Sequence, residues 1–416
     1  MIDKDLYATI LGIRSPWSVT EVTLSSSDEE VTVHVALDPD APLQCPRCAA
    51  ASRRYDSRPR RWRHLDTCEY RTMLVADVPR VECREHGVLQ VFIPWAEPGG
   101  RFTARFEALV IDWMKEACIT AVARQLRLTW DEAAGIQDRA VARGLLRRRR
   151  RASRRLGVDE TSFAKRHEYV TVVTDMDSGH VVHVEDDRGR AALDSFYSQL
   201  TPQQRGAIEV VAMDMWEPYI QATLAALPEA DRKIVFDKFH VAMHLGDAVD
   251  KVRRTEQREL LEQGDRSLVG TKYLWLTSTA SPEGPRAERF DSLRRSTLKV
   301  AKAWHAKEVA MELWWKRRRG ELEQDFLAWC RWASRLRLEP LRKVAQMIST
   351  HLDGIVNAVL TGVTNALAEG TNSKIQWIKK MARGFRNRVR FRNAIYFHLG
   401  GLDLYPACLS LTHTKA

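Results

Sequence analysis

The chain has 416 residues, a formal net charge of +11 from 65 lysines and arginines against 54 acids, and 44% hydrophobic residues. A chain this long and this apolar buries a sizeable core, which excludes wholesale disorder, and the excess positive charge is a weak indication of nucleic acid. It contains no run of about 18 apolar residues and no basic-then-apolar leader at its N-terminus, so we expect a cytoplasmic protein without a membrane partner.

The segment at 43–95, which follows a predicted N-terminal β segment at 1–42, has the ligand spacing of a zinc ribbon. Two pairs of ligands each enclose two residues, Cys45 with Cys48 and Cys83 with His86. Four such ligands on two tight turns satisfy tetrahedral zinc, and a site with all four positions filled is structural rather than catalytic. His64 and Cys68 are the alternative ligands.

Residues 101–150 have the pattern of a helix-turn-helix. Apolar residues recur at helical spacing from Phe102 to Gly144, and Thr129 with Glu132 forms a predicted capping box at the start of the last helix. Two short helices around a tight turn are typical of a domain whose second helix enters the DNA major groove, although an ordinary helical hairpin is the alternative. An arginine run that we expect to bind phosphates follows: Arg147, Arg148, Arg149 and Arg150.

Residues 151–250 alternate strands with helices in the order β-β-β-α-β-α-β-α, which predicts a mixed sheet whose first three strands form a meander. Asp159 lies at the end of the first strand, and Asp214 follows the apolar strand at 208–213. Two acids at the ends of neighbouring strands repel each other unless a cation offsets their charge. Oxygen-only ligands select magnesium or manganese, so we expect such an ion here.

A third acid, Glu369, opens a predicted helix that follows the helical residues 251–354. Packing of its apolar stripe, which includes Ile375 and Ile378, on the sheet would bring Glu369 to the two aspartates. Residues 370–402 contain no acid. Basic side chains of this tract are expected to contact DNA: Lys374, Lys379, Arg383 and Arg386.

Long motifs across most of the chain resemble the ISL3 family of bacterial insertion-sequence transposases. They are CPRC with CREHG, PWAEPGGRFT, LGVDETSFAKRHEYVTVV, VAMDMWEPY, FDKFHV and NALAEGTNSKIQWIKKMARGFRNRVRFRNAIYFHLGGL. The resemblance implies a multidomain α/β protein in which a zinc ribbon and a helix-turn-helix precede an RNase H-like, mixed-sheet catalytic core. That core is expected at 151–250 and 355–416, on either side of a helical insertion at 251–354.

The resemblance also implies a DNA transposase with an Asp-Asp-Glu triad, which falls on Asp159, Asp214 and Glu369. Two magnesium (or manganese) ions bridged by Asp159 would serve cleavage and strand transfer, and zinc would be structural. Asp237 and His240 resemble an Asp-x-x-His signature with a supporting role. The implied partners are double-stranded DNA, as terminal inverted repeats and target, and a second copy of the chain on DNA, in the nucleoid of a bacterial cytoplasm.

Two other functions stay open on the sequence. A transcriptional regulator derived from a transposase would keep the zinc ribbon and the helix-turn-helix without catalysis. A structure-specific metal nuclease with the same core would cut DNA without joining it. Three acids at two strand ends and a helix start favour catalysis over the regulator, and joined products distinguish the transposase from the nuclease.

Overall fold

A computed structural model describes residues 3–149, 152–164, 168–276, 285–315, 318–364 and 366–408. The chain divides into two compact units. The N-terminal unit comprises 1–149, 381–384 and 396–416, and the core unit comprises 150–380 and 385–395. Within the described ranges, no helix combines the length and the hydropathy needed to cross a membrane.

The N-terminal unit is built from a twisted sheet and three consecutive helices. Its elements are α1 (Asp3–Leu11), β1 (Trp17–Ser25), β2 (Glu30–Leu37), β3 (Arg53–Arg63), β4 (Arg71–Cys83), β5 (Gly87–Gln90), α2 (Ala104–Glu116), α3 (Ile119–Gln125) and α4 (Trp130–Arg147). The strand order is β1-β2-β4-β3, with β5 also paired to β4. The pair β2–β4 is parallel and the others are antiparallel.

This sheet contains strands from both the predicted β segment at 1–42 and the predicted zinc ribbon at 43–95. Strand β2 pairs with β4 from Glu30–Arg71 to His34–Val75, so both segments contribute to one sheet. Apolar residues alternate along β2, and its Val31, Val33 and Val35 are buried. These valines share a buried cluster with Leu11 and Trp95, and pairing with β4 extends a β1–β2 ribbon that would be marginally stable alone.

The helices α2, α3 and α4 form the predicted helix-turn-helix arrangement, with a tight turn between α3 and α4. Thr129 Oγ1 accepts a hydrogen bond from the N–H of Glu132 at 3.2 Å, and Glu132 Oε2 accepts one from the N–H of Thr129 at 3.0 Å. The turn contains no glycine; Arg127 adopts the left-handed conformation there, with φ of 53°. Helix α4 continues to Arg147, the first residue of the arginine run.

The remaining elements follow in chain order. They are β6 (Arg155–Ala164), β7 (Glu168–Asp175), β8 (Val181–Asp186), α5 (Arg190–Ser198), α6 (Pro202–Ala207), β9 (Val210–Met213), α7 (Glu217–Ala226), α8 (Ala230–Lys233), β10 (Ile234–Phe236), α9 (Lys238–Glu262), α10 (Lys272–Leu276), α11 (Pro285–Arg294), α12 (Lys299–Glu312), α13 (Arg319–Arg335), α14 (Glu339–Thr350), α15 (Leu352–Thr361), α16 (Ala366–Met381) and α17 (Arg388–Leu399).

The core unit contains a mixed sheet in the order β10-β9-β6-β7-β8. Strands β6, β7 and β8 form an antiparallel meander, while β9 and β10 add to β6 as parallel strands after helical crossovers. Strand β9 begins two residues later than the strand predicted at 208–213. The order and directions confirm the α/β class and are consistent with the RNase H-like core.

The helices predicted as an insertion at 251–354 share their core with the sheet. One buried cluster joins Leu156 and Val211 of the strands to Trp304, Phe326 and Trp329 of the helices. Helix α9 runs without interruption from Lys238 to Glu262, across the predicted boundary at residue 250. The C-terminal boundary also differs, because residues 381–384 and 396–416 belong to the N-terminal unit.

We expect Gly354→Ala to destabilise the core unit. A Cβ at this position of α15 would overlap the ring of Phe236 on β10. Overpacking of this kind costs about 1–3 kcal/mol, which should lower the urea midpoint of the core unit's unfolding transition. Gly246→Ala is the matched control, because its Cβ meets only Leu276 Cδ2 at 3.8 Å and alanine is the better helix former. Equal midpoints for wild type and Gly354→Ala would contradict the packing of α15 on β10.

Candidate functional site

The parallel pairing of β6 with β9 places two carboxylates side by side. Gly157 is paired with Ala212 in this ladder. Asp159 and Asp214 each lie two residues further along their strands. Because neighbouring strands are about 4.8 Å apart, the two acids lie next to each other on two inner strands of the sheet.

Helix α9 adds an aspartate and a histidine beside these two acids. Asp237 precedes the helix and is buried, and its Oδ1 accepts a hydrogen bond from the N–H of Phe239 at 2.7 Å as the N-cap. One turn later, His240 Nε2 lies 2.8 Å from Asp214 Oδ1. The hydrogen bond to Asp214 raises the pKa of His240. His240 thus contacts a candidate catalytic acid directly, whereas Asp237 caps the helix that presents it.

Asp159 is the more enclosed of the two acids. Its Oδ1 accepts a hydrogen bond from the N–H of Glu160 at 2.7 Å, and its Oδ2 accepts one from Asn372 Nδ2 at 2.6 Å. Burial raises the pKa of Asp159 to about 7, the Glu160 N–H opposes this rise, and the negative charge of Asp214 adds to it. The ionised carboxylate of Asp159 is therefore destabilised by burial and by repulsion from Asp214, and a nearby cation would offset both effects.

Both acids line a cavity of about 320 Å³. Arg188 also lines it: its Nε lies 3.0 Å from Glu160 Oε2, and its guanidinium lies 4.3 Å from the ring centroid of Trp216. Burial raises the pKa of Glu160 against the opposing effect of Arg188. The cavity thus combines adjacent carboxylates with one fixed cation.

Helix α16 is attached to β6 by three polar side chains at helical spacing. Asn372 Nδ2 also donates to Glu160 O at 3.1 Å, Gln376 Nε2 donates to Thr161 Oγ1 at 2.9 Å, and Lys379 Nζ donates to Ser162 O at 2.5 Å. Sequence analysis did not identify Asn372. The signal was available as polar residues at 372, 376 and 379 beside the buried positions 371, 375 and 378.

Glu369 lies on α16 one turn before Asn372, so the helix that carries it is the one that bonds to Asp159. Its side chain is exposed and is not among the described residues that line the cavity. The structure therefore brings Asp159, Asp214 and His240 together and places Glu369 on the adjoining helical turn.

The residues predicted to contact DNA differ in solvent exposure and in whether they bond to other parts of the protein. Arg147 lies 3.1 Å from Asp403 Oδ2 and donates to Tyr405 O, while Lys379 is bonded to β6 as above. Arg150 lies outside the described residues, and Arg148 is half-buried. The other four are exposed: Arg149, Lys374, Arg383 and Arg386.

The four predicted zinc ligands converge in the N-terminal unit. All four ligand atoms lie within 4.8 Å of one another. Cys48 Sγ lies 3.7 Å from Cys83 Sγ, and His86 Nδ1 lies 3.8 Å from Cys45 Sγ and 3.6 Å from Cys83 Sγ. Bonds of about 2.3 Å to sulfur and 2.0–2.1 Å to nitrogen give tetrahedron edges of about 3.6–3.8 Å. The set fits a closed, structural zinc site.

The alternative ligands are outside this cluster. His64 is buried, its Nδ1 lies 2.8 Å from Thr103 Oγ1, and burial lowers its pKa to about 3. Cys68 is exposed and does not join the group of four. Backbone N–H groups lower the pKa of Cys45 to about 6, and the N–H of Cys48 has the largest effect. The lower pKa favours the thiolate that zinc requires.

Comparisons with known proteins match three parts of the chain to models of protein families. Residues 156–395 match the DDE domain of the ISL3 family, described as a transposase. Residues 41–86 match the zinc finger of the transposases of IS204, IS1001, IS1096 and IS1165, and residues 93–141 match the helix-turn-helix domain of transposase family ISL3. The domain order is the predicted one.

Two full-length relatives are similar to the chain. The transposase for insertion sequence element IS1557 of Mycobacterium tuberculosis is 27% identical over 417 residues, which cover 92% of each chain. The transposase for insertion sequence element IS1001 of Bordetella parapertussis is 27% identical over 398 residues, which cover 94% of this chain and 97% of the relative.

We expect Cys83→Ser to remove the structural zinc. The substitution replaces one of four soft or borderline ligands, so zinc measured by mass spectrometry should fall from about one ion per chain to a small fraction of that. The N-terminal unit should melt at a lower temperature as a result. His86→Cys should retain the metal, and Cys68→Ser is a matched control outside the cluster. Full zinc occupancy in Cys83→Ser would rule out this ligand set.

We expect Asp159→Asn to stabilise the metal-free protein increasingly as pH rises. The folded-state pKa of Asp159, about 7, exceeds its ordinary value of 3.8. Its stabilising contribution is thus complete below about pH 3.8 and is lost as pH rises through 7. Unfolding at pH 8 should show a gain of about 1–4 kcal/mol for the variant, against little difference near pH 4. With Asp194→Asn on the exposed face of α5 the difference should not grow, and a flat profile for Asp159→Asn would refute the assigned burial.

Proposed function

Because the chain belongs to the ISL3 family of insertion-sequence transposases, we propose that it binds the terminal inverted repeats of its element and catalyses metal-dependent cleavage and strand transfer of DNA. The observation that carries this proposal is the hydrogen bond between Asn372 and Asp159. It attaches the helix that bears Glu369 to β6, where Asp159 lies in the middle of the strand and not at its end as expected from the sequence, beside Asp214. Asp159, Asp214 and Glu369 are accordingly proposed as the catalytic triad.

The oxygen atoms around Asp159 and Asp214 support a divalent cation at this site. Asp159 and Asp214 present carboxylates to one cavity, and Asn372 Oδ1 is shielded from solvent without a hydrogen-bond partner among the described residues. Carboxylate and amide oxygens are the ligands that magnesium and manganese prefer. Asp159, Asp214 and Glu369 would hold the ion, which when bound activates a hydroxyl group for attack on a phosphodiester and stabilises the developing charge.

The surrounding side chains support orientation. The Glu160 N–H and Asn372 fix the two oxygens of Asp159, and His240 holds one oxygen of Asp214. Arg188 is held against Trp216 at the cavity and offers a guanidinium for a phosphate oxygen. Removing the side chain of Asn372 or of His240 would leave one of the two acids less well oriented, which weakens positioning of the reacting groups.

DNA binding is assigned to the zinc ribbon and the helix-turn-helix. Transposition joins two element ends to a target, so the proposed assembly contains at least two copies of the chain on double-stranded DNA. Exposed basic residues that follow Glu369, such as Lys374 and Arg386, would contact phosphates close to the reacting strand. The proposed place of action is the bacterial nucleoid.

The decisive experiment compares Asp159→Asn, Asp214→Asn and Glu369→Gln with wild type. Each variant should lose at least about 100-fold in cleavage and in strand transfer on a terminal-repeat duplex with magnesium, because each removes a carboxylate from the reacting site. Binding of the duplex, measured by fluorescence anisotropy, should persist. Asp194→Asn is the control and should react like wild type.

Three outcomes separate the alternatives. Binding of the duplex without any cleavage by wild type, and equal binding by Asp159→Asn and Asp214→Asn, would leave a DNA-binding regulator. Cleavage without joined products in wild type would indicate a nuclease. Loss of activity in the two aspartate variants but not in Glu369→Gln would remove Glu369 from the triad.

A further inference from the structure

The helix-turn-helix presents little free positive charge. Most of its cations bond to acids or carbonyl oxygens within the N-terminal unit: Arg105, Lys115, Arg127, Arg139, Arg143 and Arg147. The first half of α4 carries three acids, Asp131, Glu132 and Asp138. Neutralisation of phosphates supplies a large share of protein–DNA affinity, so these helices need a cationic surface elsewhere in the unit.

Strand β3 supplies such a surface. Residues 45–63 contain seven arginines and one acid, Asp56, whose charge is met by Arg80. Three of the arginines are bonded within the unit: Arg60 to Gln90, Arg61 to Glu30 and Arg63 to Asp66. Three others on the strand are exposed and make no ion pair with the described residues: Arg53, Arg54 and Arg58.

The position of β3 leaves these side chains accessible. The strand is the last in the order β1-β2-β4-β3, and among the described residues its outer edge is paired only at its last residue, Arg63, which bridges to Phe102. Two further exposed arginines, Arg47 and Arg84, lie within the zinc knuckles at the same end of the sheet. Glu82 is opposite Arg53 in the register, but no ion pair joins the two. The edge remains positive overall.

Strand β3 is also connected to the helix-turn-helix. The N–H of Arg63, its last residue, donates to Arg101 O at 2.9 Å, and the N–H of Thr103 donates to Arg63 O at 2.9 Å. Thr103 is the N-cap of α2. Strand and helices therefore belong to one compact unit and can engage one DNA duplex together.

We propose that Arg53, Arg54 and Arg58 form a phosphate-binding edge that contacts the backbone of the duplex DNA engaged by the helix-turn-helix. This inference rests on the proposed function for the identity of the DNA. Arg54 and Arg58 lie four residues apart on the strand, on either side of an irregularity in the register between Arg54 and Asp56, so they reach different phosphates. The planar guanidinium forms two parallel hydrogen bonds to a phosphate, which fixes the register of the protein on the duplex without reading sequence.

A charged edge strand has a second possible effect, since it also prevents pairing of sheet edges between molecules. That effect alone predicts that loss of the arginines causes aggregation while the salt dependence of DNA binding stays the same. A phosphate-binding edge predicts the reverse. The salt dependence therefore decides between them.

The test measures the affinity of the full-length protein for two duplexes, the element's own terminal repeat and a random sequence of equal length, from low to high salt. Substitution of Arg53, Arg54 and Arg58 by Ser should reduce the slope of log K against log salt by about 2.7 on both duplexes. The corresponding affinity loss is about 500-fold at 0.1 M salt and disappears on extrapolation to 1 M. Substitution of the same three arginines by Lys should keep most of the slope.

The control removes the same charge elsewhere, by substituting Ser for the exposed residues Arg331, Arg335 and Lys343 of α13 and α14, and should leave the slope unchanged. Zinc content and melting temperature verify that every variant is folded. An unchanged slope in the β3 variant, or an equal fall in the control, would overturn the proposal. Absence of any preference of wild type for the terminal repeat would count against the proposed function alone, since the random duplex still yields the slopes.

Discussion

Two carboxylates held side by side by the parallel pairing of β6 and β9 are the constraint on which the core unit depends. Burial raises the pKa of Asp159 to about 7, so its charge is costly next to Asp214. The structure answers with donors from three elements: the Glu160 N–H on β6, Asn372 on α16 and His240 on α9. Each donor stabilises the negative charge on one carboxylate oxygen. Together the donors hold the two acids in positions from which both could bind a cation.

The helical region between β10 and α16 is part of this scaffold. Its apolar side chains share one core with the strands, and the chain returns from it through α15, which lies against β10. Buried Asn357 fixes that return by donating from Nδ2 to Ile234 O at 2.9 Å and to Asp231 O at 2.8 Å. Gly354 allows the close approach to Phe236. Placement of Asn372 beside Asp159 thus depends on packing far from both residues in sequence.

Local patterns in the sequence predict the elements, and some of the site, well. The apolar strand predicted at 208–213 corresponds to β9, the Thr129–Glu132 spacing locates the start of α4, and the spacing of the zinc ligands identifies a cluster that the structure brings together. These signals are local because a turn or a cap involves residues a few positions apart.

Long-range pairing was less accessible from the sequence. Alternation in β2 indicates a buried face but not that its partner is β4, some 40 residues away. Likewise, Phe397 and Leu404 join the core of the helix-turn-helix, although the resemblance implied that residues 355–416 form the second part of the catalytic core. Asn372 and Gln376 are ordinary polar residues in sequence, and only the approach of α16 to β6 gives them partners.

The same reasoning applies to charge. Arg143 bonds to Glu97 and Glu107, which are 46 and 36 residues away, and Arg147 bonds to Asp403, 256 residues away. A basic tract in the sequence therefore overstates the cationic surface, since its partner acids can come from anywhere in the chain. Such internal pairs stabilise the fold only modestly where they are exposed, yet they remove charge from any interface. A nucleic-acid surface is accordingly located by the cations that folding leaves unpaired, and in the N-terminal unit these concentrate on the edge of β3.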